Sequence, residues 1–434
     1  MKYFFALCVI SAPLVAQERS PVPSASPLTL RALLDTIAAT HPLLRAASAH
    51  TRAAQGARVT AGALGNPVLS YQSDRASSAG GTSPPGDDHE IMATLTLPLE
   101  PLYQRGPRVS AADAAVRTAE AEADGVRQRT ALDATDAYYR TALAQVGVAT
   151  ARDLSAWLDT LVAYNRVRAA EGATAEADLL RSQLERDRAA ADATMQEVEL
   201  ARARAVLAAF LGDPRHIGLA TVAVSDRPMP SDLALAEHAA QPALTLRPDL
   251  RAAQGRVEAA RAAATGERTM IFRQLAATIG TQRMMGTTSL VAGVSLPIPI
   301  FDVNRGEIRR ASAERDAAQF DLAAVERAAA ADVTGAHEVA RLLTDRAELL
   351  TAGGADGFLA RADEARRIAL GAYREGAVPL LTVLDAARAW GDARMTFYRT
   401  LYAQHESVLT LLTAQGVDLF ANLPVPSESG ARNR

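Results

Sequence analysis

The chain of 434 residues balances 46 basic against 49 acidic side chains, a net charge of -3 at pH 7, which leaves no electrostatic footprint for nucleic acid. Hydrophobic residues make up 49% but aromatics only 5%, so the apolar share is mostly Ala, Leu and Val, which suits close-packed helices better than a thick globular core. The single cysteine, Cys8, excludes a disulfide framework, a cysteine zinc site and a catalytic thiol downstream.

Lys2 precedes an apolar run over residues 3–16, broken by Ser11 and Pro13. It is too short to span a bilayer, which takes about 20 residues. A positive start, a short apolar run and a small residue, Ala16, before polar Gln17-Glu18-Arg19 read as a secretory signal peptide over residues 1–16, followed by a linker over 17–27. No later apolar run reaches about 18 residues, so no transmembrane helix is expected.

The remainder repeats itself. His41-Pro42-Leu43-Leu44-Arg45-Ala46-Ala47 parallels Arg247-Pro248-Asp249-Leu250-Arg251-Ala252-Ala253, and Leu97-Pro98-Leu99 with Arg105-Gly106 parallels Leu296-Pro297-Ile298 with Arg305-Gly306. Asp133, Thr135 and Ala137 parallel Asp332, Thr334 and Ala336, and Glu171-Gly172-Ala173 parallels Glu375-Gly376-Ala377. Matches in one order at near-constant spacing imply duplication of a unit of about 200 residues, too long for a solenoid repeat.

The first unit, residues 28–214, opens with a helix over 28–63, apolar at Leu30, Leu33, Leu34, Ile37, Leu43, Leu44 and Ala47. Gly65-Asn66-Pro67 ends it, and a hairpin occupies 67–99. Its first strand covers 68–74, a Ser/Gly/Pro-rich loop covers 76–88, and its second strand alternates Ile91, Ala93, Leu95, Leu97 and Leu99 with Met92, Thr94, Thr96 and Pro98. After Gly106-Pro107 a helix runs over 109–170, about 90 Å at 1.5 Å per residue. A turn at Gly172 leads into a second long helix over 174–210, and a looser linker spans 215–242.

The second unit, residues 243–416, repeats the order. A helix over 248–270 precedes a hairpin over 274–299, with strands at 274–282 and 290–298. Long helices follow over 307–374, with a weak point at Gly353-Gly354, and over 379–414. A polar tail occupies 417–434.

Each strand spans about 9 residues, the length a membrane-crossing strand needs, and alternates Leu, Ile, Val or Ala with Thr, Ser or Gly as lipid-facing and lumen-facing sides do. Four strands cannot close a barrel, and an open edge cannot sit in hydrocarbon. Strands that enter a membrane must then be shared between chains, and spacing alone does not choose between two, three and four copies. The other reading of the same pattern is a soluble helical bundle carrying two amphipathic hairpins, a periplasmic coiled-coil structural protein with no pore. The fold expected is mainly α with a small β part: a long α-helical barrel plus a shared transmembrane β-barrel.

The duplicated order, the His41-Pro42 and Arg247-Pro248 openings, and above all the string from Leu296 through Pro297-Ile298-Pro299-Ile300-Phe301-Asp302-Val303-Asn304-Arg305-Gly306, resemble the TolC-like outer membrane factor family over residues 28–423. That string is similar to the strand-to-helix junction of its CzcC-like heavy-metal-efflux branch. The first-unit junction is similar too, but carries Tyr103-Gln104-Arg105 where the branch has a Gly-Lys-Arg string. The resemblance implies a homotrimer with a twelve-stranded barrel in the outer membrane, continued by a helical tunnel across the periplasm. It implies a passive duct for metal cations, drugs or secreted protein. Its partners would be a periplasmic adaptor, an inner-membrane transporter of the RND type, and outer-membrane lipid. It places Gly172 and Gly376 at the periplasmic tip, where the adaptor docks, and Asp178, Asp385 and Tyr373 at the tip aperture. Thr382 stands where a second aspartate can occur, and Val378 where an arginine link can occur, so the locking network differs.

Three-fold repetition would turn one carboxylate per chain into a ring that favours cations; alternatively both aspartates are ordinary first-turn helix acids. The seven histidines, His41, His50, His89, His216, His238, His337 and His405, form no pair at metal-ligand spacing, so no metal site is expected. No phosphate-cradling glycine loop and no catalytic triad is supported, so neither an enzyme nor a bound cofactor is expected.

Overall fold

Thr29 caps α1 (Leu30–Thr40), its hydroxyl accepting from the Ala32 N–H at 3.2 Å, while Leu30, Leu33, Leu34 and Ile37 bury one face. The apolar spacing continues beyond residue 40, but the helix does not. Pro42 disfavours helical backbone at the residue before it, and His41 is extended at φ -67° and ψ 128°. A separate helix, α2 (Pro42–Gly62), starts with the proline at its first position, where a missing N–H costs nothing.

This computed structural model describes residues 27–75, 89–212, 221–223, 225–230, 246–270, 274–284, 286–353 and 356–424. The expected signal peptide, nearly all of the N-terminal linker, the 76–88 loop, most of the inter-repeat linker and the end of the tail lie outside the described residues.

After β1 (Val68–Arg75) and β2 (His89–Pro98) comes α3 (Pro101–Ala170), 70 residues long and about 105 Å end to end. It begins ahead of the expected residue 109 and carries Pro107 inside it. The early start is fixed by α2. Arg105 Nε donates to the Gly62 carbonyl at 2.8 Å, and Arg108 donates to the Ala61 and Ala63 carbonyls at 2.8 and 2.9 Å. Two arginines of α3 thereby satisfy the orphan carbonyls that end α2. α4 (Glu176–Leu211) ends at Gly212, left-handed at φ 73°.

The second unit has α5 (Pro248–Thr269), β3 (Ala276–Met284) and β4 (Thr287–Ser295). Both strands are displaced from 274–282 and 290–298. Gln274 adopts φ 63°, outside strand geometry, and Pro297 and Pro299 cannot donate to a ladder. The single long helix expected over 307–374 is two, α6 (Arg305–Thr351) and α7 (Phe358–Arg374). Ala352 is extended and Gly353 sits at φ 92°, a conformation that ends a helix. α8 (Leu380–Ala414) completes the unit.

The two hairpins form one antiparallel sheet in the order β1-β2-β3-β4. Its register aligns Leu69, Leu95, Ile279 and Ala292 in one row, and Tyr71, Ala93, Thr281 and Leu290 in another on the same face. The opposite face carries Gln72, Met92, Gln282 and Ser289, with Thr96 and Thr278 hydroxyls 3.1 Å apart and the Gln282 amide on the Glu90 carboxylate. Leu69 and Leu290 stay about three-quarters exposed, at 74% and 73%, so nothing among the described residues covers the apolar face.

In the helical layer, α3 packs against α2 and α5 on the sheet side and against α4 and α8 on the other, while α6 packs against α5 and α8, and α7 against α8. α2 and α4 therefore border one edge, and α6 and α7 the other. The main core, including Leu33, Leu34, Ile37, Tyr138, Leu207, Leu401, Tyr402 and Leu409, sits where α1, α3, α4 and α8 meet.

The linker between the units is strapped across this core. The Gln145 amide bonds both the N–H and the carbonyl of Val222, at 2.8 and 3.1 Å, and Gln404 does the same to Met229 at 2.9 Å each. Leu28 forms a parallel bridge to Val222, and the Tyr138 hydroxyl donates to the Ala223 carbonyl at 2.9 Å. The His405 Nε2 lies 2.8 Å from the Arg227 carbonyl and donates to it. Burial pushes the His405 pKa down to about 4 against the pull of that carbonyl, so the ring is neutral at pH 7.

Candidate functional site

Two helix-to-helix turns of identical construction lie far from the sheet. α3 closes with Gly172 at φ 74°, whose N–H meets the Ala169 carbonyl at 3.1 Å, and the Ala173 N–H meets the Arg168 carbonyl at 2.8 Å. α7 closes with Gly376 at φ 76°, with matching bonds from Gly376 to Tyr373 at 3.0 Å and from Ala377 to Ala372 at 2.8 Å. A left-handed residue reverses the chain with the last carbonyls satisfied, and glycine takes that conformation without strain.

Behind the turns lies a second core of Leu158, Leu161, Ala189, Tyr373, Leu380, Val383 and Leu384. Tyr373 is buried, and its hydroxyl donates to Asn165 Oδ1 at 2.8 Å, tying α7 to α3. Thr174 of the first turn also hydrogen-bonds this hydroxyl. Burial raises the Tyr373 pKa, and the nearby Asp178 carboxylate raises it further. Tyr164 packs its edge against Tyr373 with ring centres 6.1 Å apart, and the guanidinium groups of Arg168 and Arg374 lie 5.6 and 5.8 Å from the Tyr164 ring.

The two aspartates have different surroundings. Asp178 is half-buried in the first turn of α4, beside Tyr373. Asp385 is exposed on α8, 3.4 Å from Arg388, which reaches across to Glu185 of α4 at 2.5 Å. Val378 packs on the second core, and Thr382 is exposed. Asn165, Glu185 and Arg388 escape sequence reasoning. Asn165 left one trace: it follows Leu154, Leu158 and Leu161 at helical spacing, so a polar side chain occupies an apolar position, with Nδ2 buried and no partner among the described residues.

Tyr373→Phe is expected to cost about 1–2 kcal/mol by leaving Asn165 unsatisfied. Limited proteolysis should then cut at 171–175 and 375–379 faster than in the unaltered protein. Unchanged cleavage at both turns would mean that the bond does not hold them.

Among the described residues no group of three or more His, Cys, Asp or Glu side chains is arranged to hold a metal ion. No described helix is long and apolar enough to cross a membrane.

Residues 239–417 match the family model described as outer membrane efflux protein. The chain is 26% identical to the cobalt-zinc-cadmium resistance protein CzcC of Cupriavidus metallidurans over 399 residues, covering 90% of each. The outer membrane protein VceC of Vibrio cholerae superposes with a TM-score of 0.73 at 20% identity, over 89% of this chain and 96% of that one. CusC, whose structures concern folding and transmembrane channel formation, superposes with a TM-score of 0.72 at 19% identity, over 94% and 99%. Residues 239–417 thus carry the sequence pattern of the outer membrane efflux protein family, and about nine-tenths of the chain superposes on the solved outer-membrane channel OprN at a TM-score of 0.72 and 21% identity.

Proposed function

We propose that this chain is the outer-membrane subunit of a tripartite efflux system, a passive homotrimeric duct joined through a periplasmic adaptor to an inner-membrane transporter of the RND type. One observation carries the proposal: the same edges are left open in both halves of the molecule. In the sheet, β1 and β4 have no outer partner and the apolar face no cover among the described residues. In the helical layer, one edge helix, α4, exposes Leu180, Leu184, Met195 and Val206, and the other, α6, exposes Phe320, Val339, Leu342 and Leu349. A ring of copies pairs β4 with the next β1 and covers both helical edges at once, removing the open strand edges that hydrocarbon does not tolerate. Three copies give twelve strands.

In this reading residues 28–214 and 243–416 are the two repeats behind a signal peptide at 1–16. Gly172 and Gly376 mark the periplasmic tip that meets the adaptor. Asp178 and Asp385, with Tyr373 behind them, line the aperture as carboxylate rings that favour cations. The likeness to CzcC supports metal cations as cargo; drug efflux and protein secretion use the same architecture. The chain does no chemistry of its own.

The test is conduction in planar bilayers with membrane-extracted protein. A heat-modifiable oligomer with cation-preferring conductance is expected, and Asp178→Ala combined with Asp385→Ala should reduce that preference several-fold. Unchanged reversal potentials would remove the rings. A soluble, non-conducting monomer would remove the duct and leave a periplasmic coiled-coil protein.

A further inference from the structure

Both units leave their hairpin through an apolar shoulder that has no partner among the described residues. After β4, Leu296, Ile298 and Ile300 are exposed at 50%, 76% and 71%, and Phe301 at 99%. Pro297 and Pro299 stiffen this run. Its far end is nailed down: Asn304 is buried, its Nδ2 donating to the Glu267 carbonyl at 2.7 Å and carboxylate at 2.9 Å, while its N–H donates to Asp302 at 2.9 Å. Phe301 is thus held out by a fixed junction. After β2 the equivalent place is Leu102, 80% exposed in the first turn of α3.

Three features say what covers this shoulder. It continues the uncovered apolar face of the sheet, since Leu97, Ala277 and Val294 form the last row of that face and Leu296 follows Val294 just past the end of β4. It is bordered on the helix side by exposed arginines, Arg305 and Arg309. And it occurs twice, once beside β4 at the sheet edge and once beside β2 in its interior. A neighbouring copy paired to β4 reaches only the first; a surrounding lipid phase reaches both.

We infer that residues 296–301 and Leu102 form an interfacial collar, seated in the glycerol and headgroup zone of the phospholipid leaflet on the helix side of the barrel. Phe301 is its depth anchor, and Arg305 and Arg309 face lipid phosphates. The order of apolar strand, aromatic side chain and cationic side chain is that of a membrane boundary. The collar rests on the reading that the sheet is lipid-immersed, and it adds which residues fix the immersion depth.

Cys8, the only native cysteine, lies in the expected signal peptide, so single introduced cysteines report cleanly. Leu290→Cys, Phe301→Cys, Leu102→Cys and Ser289→Cys are labelled with bimane. The full-length oligomer is then placed in vesicles of phosphatidylethanolamine and phosphatidylglycerol carrying a nitroxide either on the headgroup or deep in the acyl chain. The labels at 301 and 102 should be quenched at least two-fold more by the headgroup nitroxide, that at 290 more by the acyl nitroxide, and that at 289 by neither. Quenching at 290 with none at 301 and 102 would overturn the collar and leave the lipid-immersed sheet standing. Quenching at 102 without 301 would assign Phe301 to a neighbouring copy and overturn the collar as well. No quenching at 290 would overturn the immersed sheet itself.

Discussion

Gly280→Val should abolish the heat-modifiable oligomer that the proposed duct requires, whereas Gly293→Val should leave it at the unaltered level. Both glycines lie on the polar face of the same sheet, Gly280 on β3 opposite Thr94 and Gly293 on β4 opposite Thr278. A Cβ at Gly280 would stand 2.7 Å from Thr94 Cα and 2.8 Å from its Cγ2, and would collide with the Ala93 carbonyl oxygen. Two of those atoms are backbone of the paired strand and cannot swing aside. A Cβ at Gly293 meets nothing within 4 Å. The crowded position is in the one pairing, β2 to β3, that joins the two hairpins into a single sheet. Forcing a branched side chain into it costs about 3 kcal/mol, and the cheapest escape, a one-residue slip, turns Leu95 and Ile279 to the opposite face. Unheated gel electrophoresis of membrane fractions reads the result directly. Normal oligomer from Gly280→Val would show that the strands do not approach as closely as this register requires.

The contrast between the two glycines also marks what a sequence can disclose. Alternation from Ile91 to Leu97 is local, so period two reveals a strand with one apolar face before any partner is known. That β2 then pairs with β3 rather than closing on its own hairpin alone is a non-local fact, and no pattern around Gly280 announces it. Helix boundaries fail for the same reason. The apolar spacing from Leu30 to Ala47 runs through His41 without a mark except Pro42, which splits the helix. α3 starts at Pro101 because Arg105 and Arg108 find the ends of α2, a contact across about 45 residues. At the two helix-to-helix turns, the resemblance draws attention to Tyr373 and Asp178. The hydrogen bond that fixes Tyr373 belongs to Asn165, whose only sign in the sequence is a polar residue on an apolar stripe. The repeat comparison picks out Arg247 and Asp332 separately, as positions matched in the first unit. Only the fold makes them partners.

That partnership supports the last expectation: Arg247→Met should destabilise the protein by about 1–2 kcal/mol and flatten its loss of stability in acid. Arg247 precedes α5 with its side chain only 10% exposed. It grips Asp249 through two bonds of 3.0 and 2.7 Å, reaches Asp332 of α6 at 3.2 Å, and donates to the Ala414 carbonyl at the end of α8 at 3.0 Å. One guanidinium thus joins three helices, and its five donors suit that geometry where lysine would not. Removing it leaves the Ala414 carbonyl at the end of α8 without its donor, while the exposed Asp249 and Asp332 carboxylates turn to water, so the lost hydrogen bond and the lost packing of the buried guanidinium carry most of the cost. Burial alone would raise the Asp249 pKa, but the hydrogen bonds and charge of Arg247 outweigh it and hold the group below the usual carboxylate range. A depressed carboxylate contributes stability that is present above its unfolded-state pKa and lost as pH falls through the folded value. Melting of the solubilised protein from neutral pH to about pH 3 should therefore show a weaker acid slope for Arg247→Met. The first unit supplies the control. His41 stands at the matching position, but stacks on Phe210 with ring centres 5.8 Å apart and an interplanar angle of 22°. His41→Ala should lower the melting temperature while preserving the acid slope, because the duplicated junction is held by stacking in one copy and by charge in the other. Equal slopes in the unaltered protein and Arg247→Met would place the acid-sensitive contact elsewhere.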